Sequence, residues 1–239
     1  FYGNGVKQDY SKAKDYFLLA AKMKDPNGYY GLGILYFHGF GVIQNYSLSM
    51  LYFEKSNNSN SLFFLGFHYF QGLGVKKDYS KAKEYFELSA QKDNHNYDAF
   101  NALGILYLYG FGVEKDYTIA KELFEIGSKK NSNSMNYLGI IYILGLGVNK
   151  DYSKALNYFN LSANLENFDS LCNLGLIYLN GYGVPKDLLR AKYYFEIASQ
   201  NKNSEAMISL GDIYYNEKNY LKAKEYYELA TQLSNQFAF

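Results

Sequence analysis

The sequence predicts an all-α fold, a right-handed superhelical solenoid of stacked antiparallel helix pairs. Three observations carry this prediction. A segment Leu-Gly-x-x-Tyr-x-x-Gly-x-Gly-Val recurs along the 239 residues. A second segment with helical spacing follows each copy. An Asp or Asn suited to capping a helix opens each second segment.

The leading glycines of the first segment are Gly33, Gly66, Gly104, Gly139 and Gly175, spaced 33–38 residues apart. The closing G-x-G-V begins at Gly39, Gly72, Gly110, Gly145 and Gly181, and an isolated copy begins at Gly3. A sixth Leu-Gly, at Leu210-Gly211, keeps Tyr214 in register but lacks the closing motif. This first segment is read as helix A of each pair, near 26–38, 60–71, 97–109, 133–144, 168–180 and 204–216. A mid-helix glycine costs about 1 kcal/mol relative to Ala. Its recurrence predicts a close approach by helix B of the same pair, through small residues on both helices such as Gly33 with Ser49 or Gly104 with Ala120. Aromatic rings are expected to fill the remaining gaps between pairs. The G-x-G-V turns the chain, because glycine tolerates positive φ, and Val42 or Val75 is expected to plug the turn.

The second segment starts at Asp9, Asn45, Asp78, Asp116, Asp151, Asp187 and Asn219. Four positions on comes a small residue (Ala13, Ser49, Ala82, Ala120, Ala155, Ala191, Ala223), and four further an aromatic (Phe17, Phe53, Phe86, Phe124, Phe159, Phe195, Tyr227). These offsets trace one face of an amphipathic helix whose other positions are mostly charged. The B helices are placed near 10–22, 46–57, 79–92, 117–130, 152–165, 188–200 and 219–232, each with its Asp or Asn as N-cap.

Composition narrows the function. The formal net charge is +1, whereas nucleic acid or a polybasic membrane contact needs a clear excess of Lys and Arg. No apolar run reaches the roughly 18 residues that span a bilayer, so no membrane insertion by this segment is expected. The single cysteine, Cys172, excludes an internal disulfide framework and a Cys-based zinc site. It lies inside helix A of its pair and is read as a buried structural thiol. The histidines His38, His68 and His95 are dispersed without metal-ligand spacing. His68 replaces an apolar helix residue and is read as a core or surface histidine. The G-x-G-V loops lack the third glycine and preceding strand of a dinucleotide site, and the G-K-[ST] of a P-loop. No catalytic residue, metal or cofactor is therefore expected. Sequons at Asn45, Asn57 and Asn160 occur at about the frequency chance gives with so much Asn and Ser.

The two segments together, L-G-x-x-Y-x-x-G-x-G-V then D-Y-x-K-A-x-x-Y-F, resemble the Sel-like repeat family, a subclass of tetratricopeptide-like (TPR-like) solenoids. Units such as Leu103 to Ser128 and Leu174 to Ser199 match along nearly their whole length. The resemblance implies one repeat domain over 1–239 with about seven helix-pair units. The first is incomplete, keeping only Phe1 and Tyr2 of helix A, which makes the sequence an expected fragment of a longer protein. The last, about 204–232, has lost the four-residue loop extension and looks like an ordinary TPR hairpin. Cysteine-rich relatives linked to β-lactam binding differ from this chain, which lacks their cysteines.

Families of this kind generally act as protein scaffolds, with helix A lining the concave groove. The resemblance implies an adaptor binding a protein or peptide segment, with the substrate-recruiting adaptor of an ER-associated ubiquitin ligase as the leading biological reading. A bacterial-type secreted or periplasmic protein engaging host or envelope proteins is the alternative. The compartment stays open between these readings. An enzyme or enzyme activator, and a spacer between active surfaces elsewhere, remain as contrasting hypotheses.

Helical offset from the leading glycine puts four columns on the groove. Three residues before it come Tyr30, Phe63, Asn101, Asn136, Cys172 and Ile208. One after it come Ile34, Phe67, Ile105, Ile140, Leu176 and Asp212. Four and five after it come Phe37 and His38, Phe70 and Gln71, Leu108 and Tyr109, Ile143 and Leu144, Leu179 and Asn180, Tyr215 and Asn216. Ile34, Ile105, Ile140 and Leu176 are assigned to the core between pairs. Phe37, Phe70, Tyr109 and Leu144 sit at the variable helix end and are the main candidates for an apolar binding strip. The stripe holds one carboxylate, Asp212, and no Lys or Arg, so a carboxylate-clamp mode is not expected.

Overall fold

The computed structural model describes residues 9–236 of the chain, with side chains to Leu233. The expectations for Phe1, Tyr2 and the Gly3 motif lie outside the described residues. Among those described there are 13 helices and no strand: α1 Tyr10–Lys22, α2 Pro26–His38, α3 Tyr46–Ser56, α4 Ser59–Gln71, α5 Tyr79–Lys92, α6 Tyr97–Tyr109, α7 Tyr117–Gly127, α8 Ser132–Leu144, α9 Tyr152–Ala163, α10 Phe168–Asn180, α11 Leu188–Gln200, α12 Ser204–Asn216 and α13 Tyr220–Gln236. Even-numbered helices are the expected A helices and odd-numbered ones the B helices. Differences fall at helix ends: α3 ends at Ser56, capped by Asn57 at φ +48°, and α7 ends at Gly127.

The described chain divides into two compact units, one up to Lys129 and one from Lys130. In the first, α1 packs on the hairpin α2/α3, followed by α4/α5 and α6/α7. In the second, the hairpins α8/α9, α10/α11 and α12/α13 pack in succession.

Each B helix starts as its sequence dictates. Asp151, for example, accepts a hydrogen bond from the Lys154 amide at 2.9 Å, which satisfies one of the orphan donors of a helix start. The cap residue also closes the preceding loop. Its amide donates to the carbonyl of the motif tyrosine: Asp151 to Tyr142 at 2.9 Å, Asp187 to Tyr178 at 2.9 Å. The shortened α12/α13 turn keeps this bond, with Asn219 donating to Tyr214 at 2.8 Å. The loop glycines serve two needs. Gly110 ends α6 at φ +76°, and Gly112, at φ +68°, presses so closely on α5 that a β-carbon there would lie 2.7 Å from Tyr79 Cβ.

The leading glycine meets helix B of its own hairpin, as expected, with a ring of helix B lying over it and the small residue also close where Ser49 Oγ donates to the Gly33 carbonyl at 3.0 Å. A β-carbon at Gly104 would sit 2.6 Å from Phe124 Cε1, and one at Gly139 would sit 2.5 Å from Phe159 Cε1. The pairs Gly33–Phe53, Gly66–Phe86, Gly175–Phe195 and Gly211–Tyr227 repeat the arrangement. The aromatics of helix B thus lie at the centre of each hairpin and also fill the gap to the next pair, as expected: Phe53 stacks on Phe64 of α4 at 5.0 Å, and Phe159 packs against Leu174 and Ile177 of α10. Phe53, Phe86, Phe124, Phe159 and Phe195 are fully buried, and each ring contributes roughly 1.5–3 kcal/mol by leaving water. Val42, Val75, Val113, Val148 and Val184 pack against the core clusters, as the turn motif requires.

Polar side chains knit neighbouring hairpins at the opposite helix ends. In the first unit Asn96 Nδ2 donates to Ser59 Oγ at 2.9 Å and to Ser89 Oγ at 3.0 Å. In the second, Asn167 Nδ2 donates to Asn133 Oδ1 at 2.8 Å, and Ser170 Oγ donates to Asn136 Oδ1 at 2.8 Å. Asn96 and Asn167 also cap α6 and α10 through their carbonyl oxygens. Cys172 is buried as expected, and burial, with Glu205 and Asp169 adding to it, pushes its thiol up to about 12.

Candidate protein-binding surface

The four columns of helix A do not share one environment. The column five residues past the leading glycine is exposed throughout: His38, Gln71 and Tyr109 in the first unit, Leu144, Asn180 and Asn216 in the second. Tyr109 is 50% exposed and Leu144 is 55% exposed. The other columns turn inward before α12. Tyr30, Phe63, Asn101, Ile34, Phe67, Ile105, Ile140, Leu176, Phe37, Phe70, Ile143 and Leu179 are half-buried.

Two expected groove residues need correction. Leu108 and Asn136 are buried. Leu108 is enclosed at the end of α6. Asn136 is held inside the polar seam, where it accepts from Ser170 Oγ and, at 2.9 Å, from Asn173 Nδ2. Phe37 and Phe70 are also less available than their offset implies. Phe37 packs edge-on against Phe64 at 5.2 Å and His68 at 5.3 Å, in the contact between hairpins α2/α3 and α4/α5. Phe70 sits 5.4 Å from Tyr79 and 5.9 Å from Phe111.

Stacked rings hold the exposed column in place within the first unit. His38 stacks on Phe40 at 4.8 Å, and Phe40 on Tyr10 at 4.9 Å. Tyr109 stacks on Phe111 at 5.5 Å, and Phe111 on Tyr79 at 4.9 Å. In each stack the middle ring comes from the G-x-G loop and the inner ring from the B helix of the preceding hairpin. The outer ring is thereby pre-set without losing its exposed face, which lowers the ordering cost of using it for binding. Partial burial holds the His38 imidazole below its usual range.

In the second unit the columns come together on α12, where Ile208, Asp212, Tyr215 and Asn216 are all exposed. Tyr215 is 57% exposed. It lines a cleft of about 360 Å³ with Tyr220, Ala223, Lys224, Tyr227, Glu228 and Thr231. Asp212 accepts a hydrogen bond from Tyr227 Oη at 2.7 Å, which together with the carboxylate's charge raises the Tyr227 phenol above its usual value. The asparagine caps and the ring stacks escaped the sequence reading. Their signal was present in the recurrence of Asn at A-helix starts and of Phe or Tyr inside G-x-G.

Among the described residues no group of three His, Cys, Asp or Glu could hold a metal ion, and no helix is long and apolar enough to cross a membrane. The surface presents apolar and amide groups suited to contact with polypeptide, with the charged Asp212, Lys224 and Glu228 on the face of α12 and α13.

Comparison with known proteins agrees with this architecture. The Sel1 repeat model matches residues 1–25, 26–61, 59–94, 99–132, 132–167, 168–203 and 204–235. The ERAD-associated E3 ubiquitin-protein ligase component HRD3B of Arabidopsis thaliana is 54% identical over 41 residues, 17% of this chain and 7% of that protein. A protective antigen of uropathogenic Escherichia coli with an SLR fold is 30% identical, with a TM-score of 0.75 over 95% of this chain and 50% of its own. A Sel1 repeat protein from Oxalobacter formigenes is 27% identical, with a TM-score of 0.82 over 92% of this chain and 94% of its own. The chain therefore spans only a small part of HRD3B and half of the E. coli antigen. With the repeat model matched seven times along its length, the chain belongs to the Sel1 repeat family.

Proposed function

We propose that this chain is a non-catalytic protein-interaction scaffold that holds an extended or helical segment of a partner protein against the exposed ends of its A helices. Sel1 repeat proteins are generally protein-interaction scaffolds. The observation that carries the reading is the uncharged exposed column, with Tyr109 in the first unit and Leu144 in the second, joined there by the α12 face around Tyr215. Burying one such ring or aliphatic chain on a partner contributes roughly 1.5–3 kcal/mol, so three or four give a gross gain of about 5–12 kcal/mol, against which the cost of association is set. A net charge of +1 favours polypeptide over nucleic acid as the partner.

The finer reading is an adaptor that recruits substrates to an ER-associated ubiquitin ligase, supported by the 54% identity to HRD3B over 41 residues. A second reading, a bacterial-type secreted or periplasmic protein engaging host or envelope proteins, is supported by the likeness to the E. coli antigen over 95% of this chain. The scaffold test is Tyr109→Ala and Tyr215→Ala, with partners captured from the native source and the fold followed by circular dichroism. Loss of captured partners with unchanged helicity is expected. Full capture by both variants removes this surface from the account. The captured proteins separate the two readings: ubiquitin-ligase components support the first, and host or envelope proteins the second.

A further inference from the structure

Two positions past the leading glycine, helix A carries Leu35, Leu106, Ile141, Ile177 and Ile213, all buried. In α4 that position is His68, which is fully buried. Ser49 on α3 likewise stands where the other B helices carry Ala13, Ala82, Ala120, Ala155, Ala191 and Ala223. Two polar residues therefore replace an apolar pair at a single junction, and they touch. His68 Nε2 lies 3.3 Å from Ser49 Oγ, and His68 Nδ1 lies 2.8 Å from the Leu73 carbonyl. Ser49 Oγ also donates to the Gly33 carbonyl at 3.0 Å. Around the imidazole stand the rings of Phe37 at 5.3 Å, Tyr46 at 5.9 Å and Phe53 at 6.1 Å.

A proton count shows the conflict in this site. A carbonyl only accepts, so Nδ1 carries a proton and bonds to Leu73. In the neutral ring Nε2 is then an acceptor. The one hydroxyl proton of Ser49 is sought by both Nε2 and the Gly33 carbonyl, and one of them goes without it. In the imidazolium every contact has its proton: Nε2–H donates to Ser49, and Ser49 donates to Gly33. Against this stands the cost of a charge in an apolar site. Burial holds His68 below the usual histidine range, outweighing the opposite pull of the Leu73 carbonyl, and no charged side chain of α2, α3 or α5 contributes. Tyr46 is the titratable group in ring contact.

We propose that the Ser49–His68 pair is an acid-sensitive joint between hairpins α2/α3 and α4/α5, at which uptake of one proton loosens the first unit locally. When the junction opens, His68 reaches water and binds a proton more readily than in the closed form. The closed form is thus favoured above about pH 6.5, the value of an ordinary histidine, and loses ground as pH falls from there towards the lower folded value. Each pH unit separating the two values makes opening about tenfold more frequent at acid pH.

The test is amide hydrogen exchange at pH 7.5 and pH 5.0, corrected for intrinsic rates, on the wild type and on S49A/H68L, which installs the Ala–Leu pair of the other repeats. His38 remains in both proteins, so the difference between them isolates the joint. Faster exchange of α3 and α4 at pH 5.0 is expected in the wild type alone, with α6 and α7 unaffected. An NMR titration of His68 in the wild type is the second measurement and does not depend on the variant folding; a midpoint below about 6.5 is expected. A midpoint at or above that value, equal exchange of α3 and α4 at the two pH values, or an acid effect retained in S49A/H68L overturns the proposal.

Discussion

Replacing Gly139 by Ala sets two known effects against each other. Alanine in a helix interior is favoured over glycine by about 1 kcal/mol, so an open site would gain stability. Here the new β-carbon meets the face of Phe159, at 2.5 Å from Cε1, 2.6 Å from Cδ1 and 2.7 Å from Cζ. Carbon atoms rest about 3.5–4.0 Å apart, so the ring must withdraw by roughly 1 Å. It has little room to do so, because Phe159 is fully buried among Tyr142, Ala155, Leu174 and Ile177. Overpacking of this kind costs about 1–3 kcal/mol. The expected balance is a net loss of up to about 2 kcal/mol. Urea unfolding should show a lower midpoint with an unchanged slope. Phe159→Leu makes space, so G139A/F159L should be less destabilised than the sum of the single variants, by about 1 kcal/mol. A Gly139→Ala protein more stable than the wild type by the full gain of about 1 kcal/mol expected at an open site would refute the ring-on-glycine contact as the reason for the repeated Leu-Gly.

Asp151→Ala removes the side-chain bond to the Lys154 amide and should cost about 1 kcal/mol in urea unfolding, the usual value of an N-cap. Phe70→Ala and Tyr109→Ala should part company in thermal unfolding: loss of the Phe70 ring between Tyr79 and Phe111 should cost about 3 kcal/mol, and loss of the half-exposed Tyr109 about 1 kcal/mol or less. The Cys172 thiol, pushed up to about 12 by burial and nearby carboxylates, should resist a thiol reagent at pH 8 until the protein is unfolded. Because its folded value lies above its unfolded one, its contribution to stability is present below about pH 8.5 and declines above it. Prompt labelling of the native protein would contradict the buried placement.

The hairpins were legible because their periodicity is local. Offsets of four, four and three from Asp78 to Ala82, Phe86 and Ser89 place these residues on one helix face, whatever packs against it. What faces Gly104 was not legible at this level, since the same offsets present both Ala120 and Phe124 to helix A. Side-chain reach selects the ring. The groove columns show the same division. Helical offset sets the angle at which Leu108 and Asn136 leave the helix, but not what covers them; Asn136 is enclosed by Ser170 and Asn173 of α10. The caps Asn96 and Asn167 were obscured by abundant asparagine, although their recurrence ahead of helix A was a usable signal. His68 and Ser49 each stood out as departures from the repeat; only the fold brings them to 3.3 Å.

The central claim is that partner protein is held at the exposed ends of the A helices. Site-specific photo-crosslinking tests it most directly, with a benzophenone amino acid in place of Tyr109, Leu144 or Tyr215, and in place of the exposed Tyr193 on α11 as a comparison. Crosslinks to the same partner from the A-helix positions, with little from Tyr193, are the predicted result. Capture from Tyr193 with none from the A-helix positions would contradict the claim.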